Sequence, residues 1–372
     1  MLKVLIAPDK FKGSLSAAAV CSAVTEAILK RKKDTLITSV PLADGGEGTQ
    51  ELLTGFYKAS SMTLSVNGPL FSPVTASYSI SSDGTTAIIE MAMASGLQLL
   101  DQKDRNPLYT TTYGTGELIS DALNRGVDKI ILGIGGSATN DAGIGMAAAL
   151  GFQFLDAAGE ILKPIGKNLV RLHSIKSDFL HPRLNKVKFI TLCDVDNPLH
   201  GPEGAAFIYG PQKGAAKHDI QLLDDGLRHF ENIIQTSFNA KVNFPGAGAA
   251  GGLGAGSSFF LNATLLKGID YIIKITRLEE KIMAADLIIT GEGKLDNQSL
   301  AGKVVVEVSR LANSFGKPVV AICGKCELTS EALKKTGIRQ IISLVDDNTP
   351  PEKAIQDAYN LICQRIDTQL VF

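Results

Sequence analysis

Short apolar runs alternate along the chain with stretches in which apolar residues recur at helical spacing. Three such runs, residues 4–7, 129–132 and 287–290, each lead into a loop of glycine and polar residues and then into a helical pattern. This alternation predicts an α/β fold in which most strands are parallel.

The first of these strand-to-helix units is the clearest. Apolar residues at Val20, Val24 and Ile28 lie on one face of a helix, so they predict its buried side. Ser14 or Ser16 is expected to cap the N-terminus of this helix.

Residues 61–90 follow a different pattern, in which polar and apolar residues alternate. Turn residues interrupt this pattern at Gly68-Pro69 and Asp83-Gly84, as between the strands of antiparallel hairpins.

The two patterns together predict two domains. A mostly parallel, Rossmann- or flavodoxin-like sheet is expected to form a discontinuous domain from residues 1–60 and 285–372. A second α/β domain, residues 61–284, is inserted into it and contains the antiparallel strands.

Composition narrows the classes of function. Lys and Arg number 37 against 38 Asp and Glu, so there is no overall positive field to gather nucleic acid or an anionic membrane. Apolar runs are too short for a membrane span, and residues 1–8 suit a buried strand better than a signal peptide. We therefore expect a cytoplasmic protein whose five cysteines, at 21, 193, 323, 326 and 363, are reduced thiols.

The loop after the first predicted strand carries two cations. Lys10 and Lys12 stand just before a predicted helix, whose unpaired N–H groups and dipole also favour anions. This loop is therefore a candidate site for phosphate or carboxylate.

A second loop combines two carboxylates with three glycines. Asp44 and Glu47 could be an ordinary helix cap, but capping does not need Gly45, Gly46 and Gly48. We interpret the pair as ligand-binding or linked to Mg²⁺.

The loop after residue 132 has two interpretations. Gly133-x-Gly135-x-x-Ala138, with Asp156 further on, matches a dinucleotide-binding fingerprint. The polar residues that follow suit phosphate and metal contacts better: Ser137, Thr139, Asn140 and Asp141.

Two further strand ends carry carboxylates. Asp194 and Asp196 follow the apolar run 189–192. The last loop contains Gly291, Glu292, Asp296, Ser299 and Lys303, and it lacks the spacing of a Walker A motif. Ligands in open α/β sheets bind at such strand ends.

Five segments in this order, residues 7–14, 41–49, 133–143, 245–254 and 291–303, resemble the motifs of the type I glycerate kinase family. The resemblance extends over the whole chain. It implies ATP:D-glycerate phosphotransferase activity with Mg²⁺, and two α/β domains with the active site in the cleft between them. It also implies that 2-phosphoglycerate is the product.

The charged residues fit that reaction, since phosphoryl transfer needs cations near the migrating charge and a carboxylate to accept the hydroxyl proton. We assign Asp194 as the proton acceptor, Lys10 and Lys12 to phosphate or the glycerate carboxylate, and Asp296 and Asp196 to Mg²⁺. Substrate and nucleotide contacts are assigned to Asp44, Gly45, Gly46, Glu47, Gly135, Gly136, Ser137, Thr139, Asn140, Asp141, Gly291, Glu292, Ser299 and Lys303.

Two other functions remain open at this stage. An NAD-dependent oxidoreductase of small hydroxy acids would use the Gly133 fingerprint, and a sugar-acid-binding protein would share the fold without turnover. In all three cases the expected partners are small molecules rather than nucleic acid or membrane. The residues do not decide between a monomer and a homodimer.

Overall fold

The computed structural model describes residues 1–43, 49–296 and 304–371. The chain forms two compact units. The first unit comprises Met1–Leu52 and Lys267–Phe372, and the second comprises Leu53–Leu266.

The strands follow one another in chain order as β1 (Lys3–Ile6), β2 (Leu36–Ser39), β3 (Ser60–Asn67), β4 (Pro73–Ile80), β5 (Thr86–Glu90), β6 (Lys129–Gly133), β7 (Gln153–Leu155), β8 (Ser174–Lys176), β9 (Lys188–Leu192), β10 (Thr264–Leu266), β11 (Leu287–Leu295), β12 (Val319–Cys326) and β13 (Gln340–Ser343).

The α-helices are α1 (Ala17–Arg31), α2 (Thr49–Phe56), α3 (Ala92–Ser95), α4 (Tyr113–Asn124), α5 (Ile144–Ala149), α6 (Ala205–Tyr209), α7 (Lys217–Phe238), α8 (Ala249–Leu261), α9 (Gly268–Thr276), α10 (Leu278–Ala284), α11 (Val304–Ser314), α12 (Ser330–Thr336), α13 (Pro351–Gln356) and α14 (Ala358–Gln369).

In the first unit, the sheet has the order β13-β12-β11-β1-β2, and all its strands are parallel. Successive residues of β1 point to opposite faces, so Val4 and Ile6 pack against α1 and α14 while Leu5 packs with α9, α10 and α11. The sheet is therefore covered by helices on both sides, as parallel sheets usually are.

The first strand-to-helix unit is confirmed in detail. Val20, Val24 and Ile28 are buried on the inner side of α1. Of the two proposed caps, Ser16 is the one used, since its side chain accepts a hydrogen bond from the backbone N–H of Ala19.

In the second unit, the sheet has the order β10-β9-β6-β5-β4-β3. β3, β4 and β5 are antiparallel, whereas β5, β6, β9 and β10 are parallel. The prediction of an α/β fold with a mostly parallel sheet and a second sheet with antiparallel strands is confirmed.

The chain passes from the first unit into the second after Leu52 and returns to the first after Leu266. The sequence pattern places these changes near residues 60 and 285. The difference at the second position arises from α9 and α10, whose residues Ile272 and Ile282 pack in the core of the first unit.

Among the described residues, no helix combines the length and the apolar character needed to cross a membrane. All five cysteines are free thiols, and Cys323 and Cys326 lie on β12.

The buried hydroxyl of Tyr78 generates a stability prediction. Tyr78 on β4 is fully buried and donates a hydrogen bond to the Asp121 carboxylate on α4 at 2.6 Å. Burial, together with Asp121, raises the pKa of Tyr78, so the phenol stays a donor at neutral pH.

We expect Tyr78→Phe to lower the free energy of unfolding by about 1–2 kcal/mol, since Asp121 keeps its bond from Arg125 but loses this donor. Urea denaturation measures the loss. Tyr109→Phe, at an exposed tyrosine, serves as the control and should cost less than about 0.5 kcal/mol. Equal losses in the two variants would contradict the assignment of stability to the Tyr78 bond.

Candidate active site

A cavity of about 460 Å³ lies at the carboxyl ends of β1, β11 and β12 in the first unit. Parallel strands bring their carboxyl ends to the same edge of a sheet, so the loops that follow them meet there. Four lysines and two carboxylate residues line this cavity: Lys10, Lys12, Lys294, Lys325, Asp9 and Glu292. The structure therefore brings three sequence-predicted residues, Lys10, Lys12 and Glu292, to one cavity.

The two lysines of the first loop are held apart by a buried phenylalanine. Phe11 is 3% exposed, and its backbone exchanges hydrogen bonds with Leu15, which closes the loop between them. Gly13, with a φ of +75°, makes this turn possible. Lys10 and Lys12 lie on either side of Phe11, so this closed loop fixes their backbone positions shortly before α1.

Glycines on β11 allow the loop to approach the sheet. A Cβ at Gly293 would lie 3.1 Å from the backbone nitrogen of Lys12 and 3.3 Å from the Cα of Phe11. The sequence suggests a loop at residues 291–295, but the structure continues β11 through Leu295. Gly291 and Glu292 are therefore strand residues, and Glu292 is 5% exposed.

Ion pairs order the rim of this cavity. Lys294 contacts Glu327 at 2.8 Å and Asp296 at 3.4 Å, and Lys325 contacts Glu327 at 2.8 Å. Lys294, aided by Lys325, holds the pKa of Glu327 below its ordinary value. Asp296, which the sequence assigns to Mg²⁺, thus already has a cation beside it.

In the second unit, the loop after β6 descends from the surface into the core. Gly135 and Gly136 are exposed, Ser137 is 8% exposed, and Asn140 and Asp141 are fully buried. A Cβ at Gly135 would meet no atom within 4 Å, so open space lies beside this part of the loop.

Asp141 holds the loop to two helices. Its carboxylate accepts hydrogen bonds from the backbone N–H and hydroxyl of Thr112 at 2.8 and 2.9 Å. It also accepts from the N–H groups of Gly143 and Gly145, each at 3.2 Å. Burial raises the pKa of this carboxyl above its ordinary value, although the four donors act against that rise.

Lys213 is a buried lysine beside this loop that the sequence pattern does not reveal. It is 3% exposed, and its Nζ donates hydrogen bonds to Ser137 Oγ and to the carbonyl oxygen of Thr139, both at 2.7 Å. Burial lowers its pKa to about 7, and the negative charge of Asp141 opposes that change. The segment Pro211-Gln212-Lys213-Gly214 looks like an exposed turn, and no local pattern shows that Lys213 points inward.

The glycine-rich segment 246–256 packs directly against this loop. A Cβ at Gly251 would lie 2.0 Å from the carbonyl oxygen of Thr139, and one at Gly256 would lie 2.2 Å from that of Ala142. The N–H of Ala142 donates to the carbonyl oxygen of Gly251 at 3.0 Å. These glycines are needed for backbone contact.

Asp194 and Asp196 follow β9 in the second unit, and both are exposed. Within residues 1–43, 49–296 and 304–371, no three acidic, histidine or cysteine side chains group as a metal site would require. Asp196 and Asp296 belong to different units. Their assignment to Mg²⁺, like that of Asp194 as proton acceptor, stays a prediction.

Six predicted site residues lie outside the described part of the chain: Asp44, Gly45, Gly46, Glu47, Ser299 and Lys303.

The dinucleotide-binding alternative does not fit the loop after β6. In that fingerprint the helix opens at the third small residue, but here α5 begins only at Ile144. Asp156, the acidic residue of that fingerprint, instead accepts hydrogen bonds from the backbone N–H groups of Ala158 and Glu160 in a turn and pairs with Arg171.

The glycine contacts generate a second stability prediction. Gly251→Ala places a methyl group against Thr139 at a φ of +69°, so we expect a loss of about 2 kcal/mol or more in the free energy of unfolding. Gly135→Ala, which faces open space, should change it by less than about 1 kcal/mol. Urea denaturation compares the two variants, and similar stabilities would show that the backbone contact is not a constraint.

Comparison with known proteins points to one family. The glycerate kinase family model matches residues 4–370. A glycerate kinase from Halalkalibacterium halodurans is 44% identical over 365 residues, covering 98% of this chain and 96% of the relative. The glycerate 2-kinase of Escherichia coli K12 is 43% identical over 364 residues, with the same coverage.

A solved structure agrees with these sequences. A crystal structure named for glycerate kinase 2 of Salmonella typhimurium LT2 superimposes with a TM-score of 0.88 at 40% identity, covering 98% of this chain and 96% of that one. Because family model, relatives and structure match over nearly the whole length, the chain belongs to the glycerate kinase family.

Proposed function

We propose that this protein transfers the γ-phosphoryl group of ATP to the C2 hydroxyl of D-glycerate, giving 2-phosphoglycerate and ADP. The observation that carries the proposal is the cavity of the first unit, where four lysines gather at the carboxyl edge of a parallel sheet. Both substrates are anions, and the ammonium groups of Lys10 and Lys12 suit them, whereas Lys294 and Lys325 are also paired with Glu327. The relationship to the Escherichia coli glycerate 2-kinase supports the choice of the C2 oxygen.

Lys10 and Lys12 supply positive charge in this reaction. Positive charge beside the migrating phosphoryl group stabilises the transition state most when it is held in place beforehand. The buried Phe11 between them and the closed loop from Phe11 to Leu15 provide that rigidity.

Asp194 is our candidate for the proton acceptor. As the C2 oxygen of glycerate forms its bond to the γ-phosphorus, the bond from that phosphorus to ADP breaks and the hydroxyl proton passes to a carboxylate. Asp194 is exposed at the end of β9, so its carboxylate is accessible to a substrate.

Mg²⁺ fits the donors that the chain offers. It usually keeps several waters and binds one or two carboxylates together with nucleotide phosphates, so it does not need a cluster of three acidic residues. Asp196 and Asp296 stay its candidate ligands, and the bound ion would neutralise charge on the β- and γ-phosphates of ATP.

Phosphorus NMR tests the proposed reaction. After incubation with ATP, Mg²⁺ and D-glycerate, we expect a new phosphomonoester resonance that coincides with authentic 2-phosphoglycerate, and excess EDTA should abolish it. A resonance of 3-phosphoglycerate would overturn the choice of the C2 oxygen, and the absence of any phosphoglycerate would overturn the proposed reaction.

The two lysines of the first loop yield a kinetic prediction. Lys10→Met and Lys12→Met keep most of the side-chain volume but remove the charge, so each should lower kcat/KM by about 10²–10³-fold. Steady-state assays with ATP and D-glycerate measure the effect.

Lys33→Met is the matched control, because Lys33 is exposed beyond the end of α1 and does not line the cavity. It should retain wild-type kinetics. If the Lys10 and Lys12 variants also had wild-type kinetics, both lysines would be solvated surface residues without a role in the reaction.

A further inference from the structure

The buried Lys213 of the second unit has a hydrogen-bonding pattern that suits an uncharged amine. It ends the 3₁₀ turn Pro211–Lys213, and its Nζ contacts two acceptors, Ser137 Oγ and the carbonyl oxygen of Thr139. A neutral amine has two N–H groups, and both are used here. A charged ammonium group has a third, which would need another acceptor.

A second observation at the same loop points to a ligand. The amide of Asn140 is fully buried, and neither its Oδ1 nor its Nδ2 has a hydrogen-bond partner among the described residues. The hydroxyl of Thr139, also fully buried, lacks one as well. Buried polar groups without partners are rare in native proteins, and a bound water or ion is one explanation for them.

We propose that Lys213 and Asn140 form a buried anion-binding site, in which an oxyanion of one substrate accepts hydrogen bonds from the Lys213 ammonium group and the Asn140 amide. The oxyanion is either the carboxylate of the hydroxy acid or a phosphate of the nucleotide. This inference rests on the proposed function, since both anions are its substrates. The open space beside Gly135 lies on the exposed side of the same loop.

The proposal has a consequence for protons. Near pH 7 part of the unliganded protein holds Lys213 as the neutral amine, because burial lowers the pKa of this group to about 7. The negative charge of Asp141 raises that pKa and so opposes the effect of burial. An anion favours the ammonium form, so above about pH 7 the anion binds together with one proton taken from solvent. The affinity for that anion should therefore fall as the pH rises above about 7.

Isothermal titration calorimetry tests this coupling without requiring turnover. D-Glycerate alone and a non-hydrolysable ATP analogue alone are titrated at about pH 8 in two buffers that differ in ionisation enthalpy. We expect uptake of close to one proton with one of the two ligands, and less uptake at about pH 6, where Lys213 is already charged. The ligand that shows the uptake identifies the anion.

Two variants complete the experiment. Lys213→Met should abolish the proton uptake and weaken binding of that ligand by roughly 10- to 100-fold. Lys217→Met, at an exposed lysine that begins α7, should behave like wild type. Because the wild-type proton count stands alone, the test holds even if Lys213→Met fails to fold.

The absence of buffer-dependent proton uptake with both ligands would overturn the proposal, as would a folded Lys213→Met variant that binds both ligands with wild-type affinity. Failure of both ligands to bind the wild-type protein would overturn it too. Phosphoryl transfer seen by NMR without proton uptake would refute this site alone. Proton uptake without transfer would refute only the proposed reaction.

Discussion

The buried carboxylate of Asp141 fixes the loop on which the second unit's polar residues depend. Four donors from Thr112, Gly143 and Gly145 surround it, and they tie the end of β6 to the first turns of α4 and α5. Positive helix ends favour a carboxylate, which offsets part of the cost of burying it. Asp141 thereby anchors one end of the loop that carries Ser137 and Thr139, the two residues that accept hydrogen bonds from Lys213.

Much of the fold could be predicted because local patterns and packing agree. Val20, Val24 and Ile28 mark a helix face that is indeed buried, and the hairpin residues before residue 90 form antiparallel strands. Predictions were less accurate where a residue serves a distant partner. The glycines at the end of β11 suggest a loop, but they belong to a strand that must leave room for the Phe11 loop. The helices α9 and α10 have apolar faces that do not show which sheet they cover.

The candidate site divides in the same way. The position of Lys10 and Lys12 at the cavity could be predicted because they lie in the loop after a strand, and a parallel sheet brings such loops to one edge. Lys213 could not, because its partners are far away in the sequence and the turn that carries it looks polar and exposed. Asp141 was predicted as a ligand-binding residue, and the structure shows its carboxylate already engaged with four protein donors.

The contact between the glycine-rich segment and the loop after β6 also bears on entropy. With Gly251 and Gly256 against the backbone of Thr139 and Ala142, neither segment has room to adopt another conformation without separating from the other. A flexible loop loses conformational freedom when it closes on a ligand, and that loss weakens binding. Here the contact between the two segments already restricts the loop in the folded protein, so its donors hold their positions without a ligand.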